Sequence, residues 1–280
     1  MEVKLGLIQM KVTPNKEANL NYAVNAIEVA SRYGADIAVL PEMFCCPYSN
    51  RYFANNAEPA GGGIWQALSG AARRNAVYVV AGSFPEEGEN AIYNTSFVFD
   101  RTGKQIAFHR KLHMFSIAQG NGKRFSEADS LQAGNKITVF NTEFGRIGLC
   151  ICFDMRFPEL VRAMALEGAN IIIAPSAFSM VTGPSHWELI MRARAIDNQV
   201  FTVGVTPARD EGSEFVAYAN SMICSPWGTV ICNAGIEDTI AVQKINLDEI
   251  DGVRSVFSIK NSRRTDLYLS LIHISEPTRP

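Results

Sequence analysis

The 280-residue chain reads as an α/β fold with mixed rather than all-parallel sheets, and three observations carry that reading. The apolar spacing switches repeatedly between a period of two, or a short unbroken run, and a period of 3.6. Strand-like segments alternate with helical ones, but they also run in adjacent pairs, which an all-parallel doubly wound sheet does not require. No linker rich in Ser, Pro or Gly and no internal repeat divides the chain, so one domain is expected over residues 1–268.

Taken in order, VKLGLIQ (3–9) is a strand. From Asn15 to Arg32 the positions Leu20, Ala23, Val24, Ile27 and Ala30 make one helical stripe, stopped by Gly34. DIAVLPE (36–42) is a buried strand, 62–75 a helix and VYVVAGS (77–83) a strand. Residues 92–100 and 105–111 form a hairpin that turns at Gly103. Residues 112–136 carry no clear element, and a long loop inside a compact domain usually has work to do. The second half repeats the rhythm: strand 146–152, helix 157–168 and strand 170–176. A helix over 185–199 follows, in which Ser185 and Glu188 form a capping box. Strands 200–205, 221–225, 229–234 and 239–247 complete the pattern.

Composition narrows the function. Hydrophobic residues at 47% and charged residues at 19% exclude a disordered chain and a coiled coil. Twenty-six basic residues against 28 acidic ones argue against a nucleic-acid surface. No apolar run approaches the ~20 residues of a membrane span, and residues 1–25 hold no signal-peptide core, so a cytoplasmic setting is expected. The six cysteines (45, 46, 150, 152, 224 and 232) show no C-x-x-C spacing, and the four histidines form no metal motif.

Three strand ends place a reactive side chain where an apolar run stops: Glu42, Lys111 and Cys152. Each alone has an ordinary reading, as a solvated turn acid, an exposed base and a small core residue. Together they offer a thiol nucleophile, a carboxylate base and a cation, and the Phe153 backbone N–H after the thiol can face an oxyanion.

The strings VLPEMF, FHRKLHMF and GLCICFDMRFPEL, in that order, resemble the three signature motifs of the nitrilase, or carbon–nitrogen hydrolase, superfamily. The resemblance covers Lys4 to about Tyr268 and implies a four-layer α-β-β-α sandwich. It also implies a Glu42–Lys111–Cys152 triad, a second glutamate at Glu127 in KRFSE, and a homodimer or larger homo-oligomer. Neither metal nor organic cofactor is implied. MFCCPYSNRYF, the 176–201 segment and TPARDEGSEFVAYANS are similar to the omega-amidase branch, which implies cleavage of the terminal amide of small ω-amides such as α-ketoglutaramate and α-ketosuccinamate. A deaminated-glutathione amidase, an N-carbamoyl-amine hydrolase and a catalytically silent scaffold stay open as alternatives. An activated, low-pKa thiol is expected at Cys152. Tyr48, Phe115 and Phe178 are expected as pocket walls, and Thr182 or Arg194 as the partner of a substrate carboxylate. The tail 269–280 does not continue the family pattern, and LSLIHISEPTRP resembles a translated sequencing adapter.

Overall fold

Two mixed sheets lie face to face, and the reason is visible strand by strand. The computed structural model describes residues 1–120 and 123–267; Tyr268, the foreign-looking tail and two residues of the 116–126 loop lie outside these. The first half contains β1 (Glu2–Gln9), α1 (Lys16–Arg32), β2 (Ile37–Val39), α2 (Asn50–Asn56), α3 (Gly63–Asn75), β3 (Tyr78–Val80) and β4 (Phe84–Glu87). β5 (Ile92–Phe99), β6 (Gln105–Arg110) and the small hairpin β7 (Ser116–Gly120) and β8 (Lys123–Ser126) follow. The second half contains β9 (Thr138–Thr142), β10 (Gly145–Leu149), α4 (Pro158–Leu166), β11 (Ala169–Pro175) and α5 (Gly183–Asn198). It ends with β12 (Phe201–Val205), β13 (Met222–Cys224), β14 (Val230–Asn233), β15 (Thr239–Asn246) and α6 (Asp248–Val256).

The first sheet has the order β15-β1-β2-β3-β5-β4, with β6 also paired to β5, and the second the order β14-β13-β12-β11-β10-β9. Each has a parallel centre: β1-β2-β3 in one and β10-β11-β12 in the other. Antiparallel strands flank both centres, so the mixed sheets expected from the paired strands are present.

Alternation along the strands builds the layers. Leu5, Leu7, Val39, Val80, Ile147, Leu149, Ile171, Ile173 and Val203 pack between the sheets. On the outer face of the first sheet, Ile8, Ala38 and Val79 meet Ala23, Ile27, Ile64 and Leu68 of α1 and α3. On the outer face of the second, Ile172 and Cys224 meet Val161, Met164, Trp187 and Met191 of α4 and α5. Ile172 therefore faces helices while its neighbours face the other sheet, at about 1.5–3 kcal/mol for each fully buried aliphatic side chain.

The sequence expectation fails at several boundaries. α5 begins at Gly183 with Pro184 in its first turn, so Ser185 lies inside the helix and caps nothing. The proline's fixed φ sets the start one turn earlier than the capping box would. α2, β4, β9 and α6 are missing from the expected set, and the 112–136 segment carries β7 and β8.

Candidate active site

The four chemical side chains come from four separate chain reversals at one end of the sheet pair. Glu42 lies in a tight turn after β2, where the Met43 N–H donates to Ser83 Oγ at 3.1 Å and the Ser83 N–H to the Pro41 carbonyl at 3.2 Å. Met43 has φ +52° and Gly82 has φ +56°. A Cβ on Gly82 would lie 2.1 Å from the Pro41 oxygen, so only glycine lets the two turns approach. Lys111 follows β6, held by its N–H to the Asn94 carbonyl and by its own carbonyl to the Gly134 N–H, both 2.8 Å. Glu127 opens a short 3-10 turn, Glu127–Asp129, after β8. Cys152 opens another, Cys152–Arg156, just beyond β10, with φ +46°. That conformation is strained for a residue with a Cβ and lifts the thiol out of the strand.

Lys111, Glu42 and Glu127 have no side-chain exposure and form one cluster. The Lys111 ammonium donates to Glu42 Oε1 at 2.8 Å, to Glu127 Oε1 at 2.9 Å and to the Tyr48 hydroxyl at 3.2 Å. Asn94 Nδ2 donates to Glu42 Oε1 at 2.8 Å and reaches Glu127 Oε1 at 3.3 Å. Glu127 also accepts the Tyr48 hydroxyl at 2.7 Å and the Phe115 N–H at 2.7 Å, which saturates it. Glu42 Oε2 is different: it is buried with no hydrogen-bond partner, and the Cys152 thiol interacts with this carboxylate.

The electrostatics follow from burial. Desolvation raises the Glu42 pKa above the ordinary carboxylate value, Glu127 adds to the rise, and Lys111 offsets part of it. Burial disfavours charge on Lys111, yet Glu127 and Glu42 together outweigh it and hold the ammonium protonated. Burial, reinforced by Glu42, pushes the Cys152 thiol well above its usual value; Lys111 and the Ala177 backbone amide pull the other way. The expected low-pKa thiol is thus corrected. The resting group is a neutral thiol beside a carboxylate of raised proton affinity, because desolvation and Glu42 outweigh the pull of Lys111.

A narrow cleft opens in front of Cys152, with Phe115, Phe153, Phe178, Thr182 and Arg156 on its walls. Of the residues singled out in the sequence, Phe115, Phe153, Phe178 and Thr182 line this cleft. Tyr48 lines the adjoining cavity, which shares Phe115 and Ser179 with this cleft; its hydroxyl serves Lys111 and Glu127 while its ring packs on Phe215 and Phe125. Arg194 does not face the cleft, since it donates to the carbonyls of Met155 at 2.9 Å and Arg156 at 3.1 Å. The guanidinium in the cleft is Arg156, four residues after the thiol and one turn on, a position the sequence reading passed over. It contacts the His186 ring nitrogen at 3.1 Å and lies over the Phe178 ring at 5.0 Å. Asn94, the first of three consecutive buried polar residues in β5, is the other neighbour of the cluster that the sequence reading passed over. Among the described residues, no His, Cys, Asp or Glu group is gathered as a metal site. Nor is any helix there long and apolar enough to cross a membrane.

Comparison with known proteins gives this arrangement a context. The carbon-nitrogen hydrolase family model matches residues 4–255. The chain is 42% identical over 265 residues to omega-amidase NIT2 of Xenopus tropicalis, covering 95% of this chain and 96% of that one. It is 39% identical, with the same coverage, to omega-amidase NIT2 of Homo sapiens. The crystal structure of Saccharomyces cerevisiae Nit3, a nitrilase-superfamily member, superposes with a TM-score of 0.86 at 36% identity, covering 94% of this chain and 97% of that one. The Caenorhabditis elegans NitFhit protein gives 0.87 at 28% identity, covering 95% of this chain and 66% of that one. The four-layer sandwich, the matched family model and these full-length relatives lead to one statement: the chain belongs to the carbon–nitrogen hydrolase family.

Proposed function

We propose that this protein is a thiol amidohydrolase that cleaves the terminal amide of small ω-amides with an anionic far end, such as α-ketoglutaramate and α-ketosuccinamate. Glu42 Oε2 takes the Cys152 proton as sulfur attacks the amide carbon. The oxyanion is met by the Lys111 ammonium and the Phe153 N–H. The C–N bond breaks as Glu42 returns the proton to the leaving nitrogen, which departs as ammonia. Water then attacks the thioester, with Glu42 again the base, and releases the acid. Glu127 and Asn94 keep Lys111 charged and aimed. The chain needs no metal or organic cofactor for these steps, and nucleic acid has no place in them.

One observation carries the substrate class: the half-buried Arg156 guanidinium lies in the Cys152 cleft with no carboxylate of the described residues within ion-pair distance. Burial pulls its pKa down, a cost that a bound carboxylate relieves. Arg156→Met should cut kcat/KM for α-ketoglutaramate by about 10- to 100-fold, the size of hydrogen bonds to a charged group. A short uncharged amide should change by less than about twofold. Equal losses on both substrates would remove Arg156 as the reader of the carboxylate. Faster turnover of deaminated glutathione than of α-ketoglutaramate would move the reading to that alternative.

The same reading includes a cytoplasmic homodimer or larger homo-oligomer. Its support is an apolar face on which Leu189 and Ile196 of α5 stand exposed beside the Trp227–Phe257 ring pair. Sedimentation velocity tests it, and a monomer at micromolar concentration counts against it.

A further inference from the structure

We infer that Asp154, which touches none of the reacting atoms, is the positioning residue that holds the Cys152 turn and the Lys111 strand end at their working separation. The inference rests on the triad reading above. Asp154 lies two residues after the thiol, fully buried and outside the cleft. Its carboxylate joins two segments far apart in sequence. On the Cys152 side, Oδ2 accepts the Ile151 N–H at 3.0 Å, while the Asp154 N–H donates back to the Ile151 carbonyl at 3.0 Å. This reciprocal pair brackets Cys152 and holds its unfavourable φ.

On the Lys111 side, Oδ1 accepts the His113 N–H at 3.0 Å and the Leu112 N–H at 3.2 Å, with Oδ2 3.5 Å from the latter. The His113 ring meets Oδ1 at 2.7 Å through Nδ1, and the His109 ring meets Oδ2 at 3.0 Å through Nε2. His109, Leu112 and His113 flank Lys111 on both sides. The His113 ring stacks on Phe157 at 3.6 Å, and Phe157 packs edge-on against Phe153 of the cleft wall. Five donor groups thus converge on one carboxylate, and its negative charge is the only feature that suits all of them. Burial opposes that charge, but the bonds from His109 and His113 outweigh it and keep the acid ionised.

An amide in place of the carboxylate must turn its NH₂ toward at least one of these donors. The turn then shifts against β6, and misplacement of about 1 Å between reacting groups can cost about 100-fold in rate. The test is Asp154→Asn, measured beside Cys152→Ala. The expected result is a kcat about 100-fold lower, KM within about threefold, and slower iodoacetamide alkylation of Cys152, in a protein that still folds. A lower melting temperature with wild-type kcat and alkylation rate would overturn the inference and make Asp154 a purely structural anchor. If Asp154→Asn does not fold, His109→Asn, which removes one donor outside the cleft, decides: a fall in kcat with KM held supports the inference, and unchanged kcat overturns it. Should Cys152→Ala remain active, the triad reading itself fails, whatever Asp154→Asn does.

Discussion

Arg110 and Lys111 are neighbours in sequence and point to opposite faces of the same strand end, yet they build two different kinds of ion pair. Arg110 grips Glu86 with two bonds, 2.7 and 2.8 Å, and the Thr95 hydroxyl completes that carboxylate at 2.6 Å. The guanidinium also lies 3.8 Å from the centre of the Tyr93 ring. The formal charges cancel and every acid oxygen is used. Across the strand, one ammonium is shared by two glutamates, and Glu42 Oε2 is left with no hydrogen-bond partner. A pair with every acceptor used is a staple; a buried cluster with one carboxylate oxygen unused has room to take up a proton. An acceptor left unused in a buried site is a cost to folding, which is why it points to chemistry.

The largest effect is expected at the thiol that interacts with the Glu42 carboxylate. Cys152→Ala should abolish amide hydrolysis with the circular dichroism spectrum unchanged. Cys150→Ala, two residues away in the same buried layer, should keep activity within about threefold and lose roughly 1 kcal/mol of stability from the lost packing. If Cys150→Ala is the inactive variant, the spare oxygen has been matched with the wrong sulfur.

The next effect is smaller and sets the two cations against each other. Lys111→Met should lower kcat by about 100- to 1000-fold, the usual worth of an oxyanion donor. Arg110→Met should leave kcat within a few-fold and instead lower the midpoint of urea unfolding. The cost is about 1–3 kcal/mol, below the range for a fully buried pair because Arg110 keeps 31% side-chain exposure. Near-wild-type turnover by Lys111→Met would end the distinction between the two clusters. A kcat loss in Arg110→Met as large as that in Lys111→Met would show that the staple and the site are one unit.

Much of this was legible before any coordinates. The strand and helix rhythm is a local property: Ile171–Ile173 reads as a buried strand and Leu20–Ala30 as a helical stripe whatever surrounds them. Glu42, Lys111 and Cys152 stand out because each ends an apolar run, and a strand end is where a loop can carry a side chain into a shared cleft. Boundaries were less legible. The Ser185–Glu188 pair has the spacing of a capping box, but Pro184 starts the helix earlier and overrides it. The short β4 and β9 carry too few residues to show a period, and their pairing partners supply the evidence for them.

By itself, then, the order of residues determined the layered α/β architecture and singled out Glu42, Lys111 and Cys152 as candidates, because period and strand-end position are written in neighbouring residues. Tertiary structure alone decided which charges meet. That Tyr48 serves Lys111 and Glu127, that Arg194 is spent on two backbone carbonyls while Arg156 lines the cleft, and that Asp154 ties two distant turns together are outcomes of packing between sheets. The same holds for the state of Cys152. A cysteine beside a lysine suggests a lowered pKa, but burial and the neighbouring carboxylate raise it, since the free energy of a charge depends on everything within several ångströms and only folding assembles that shell.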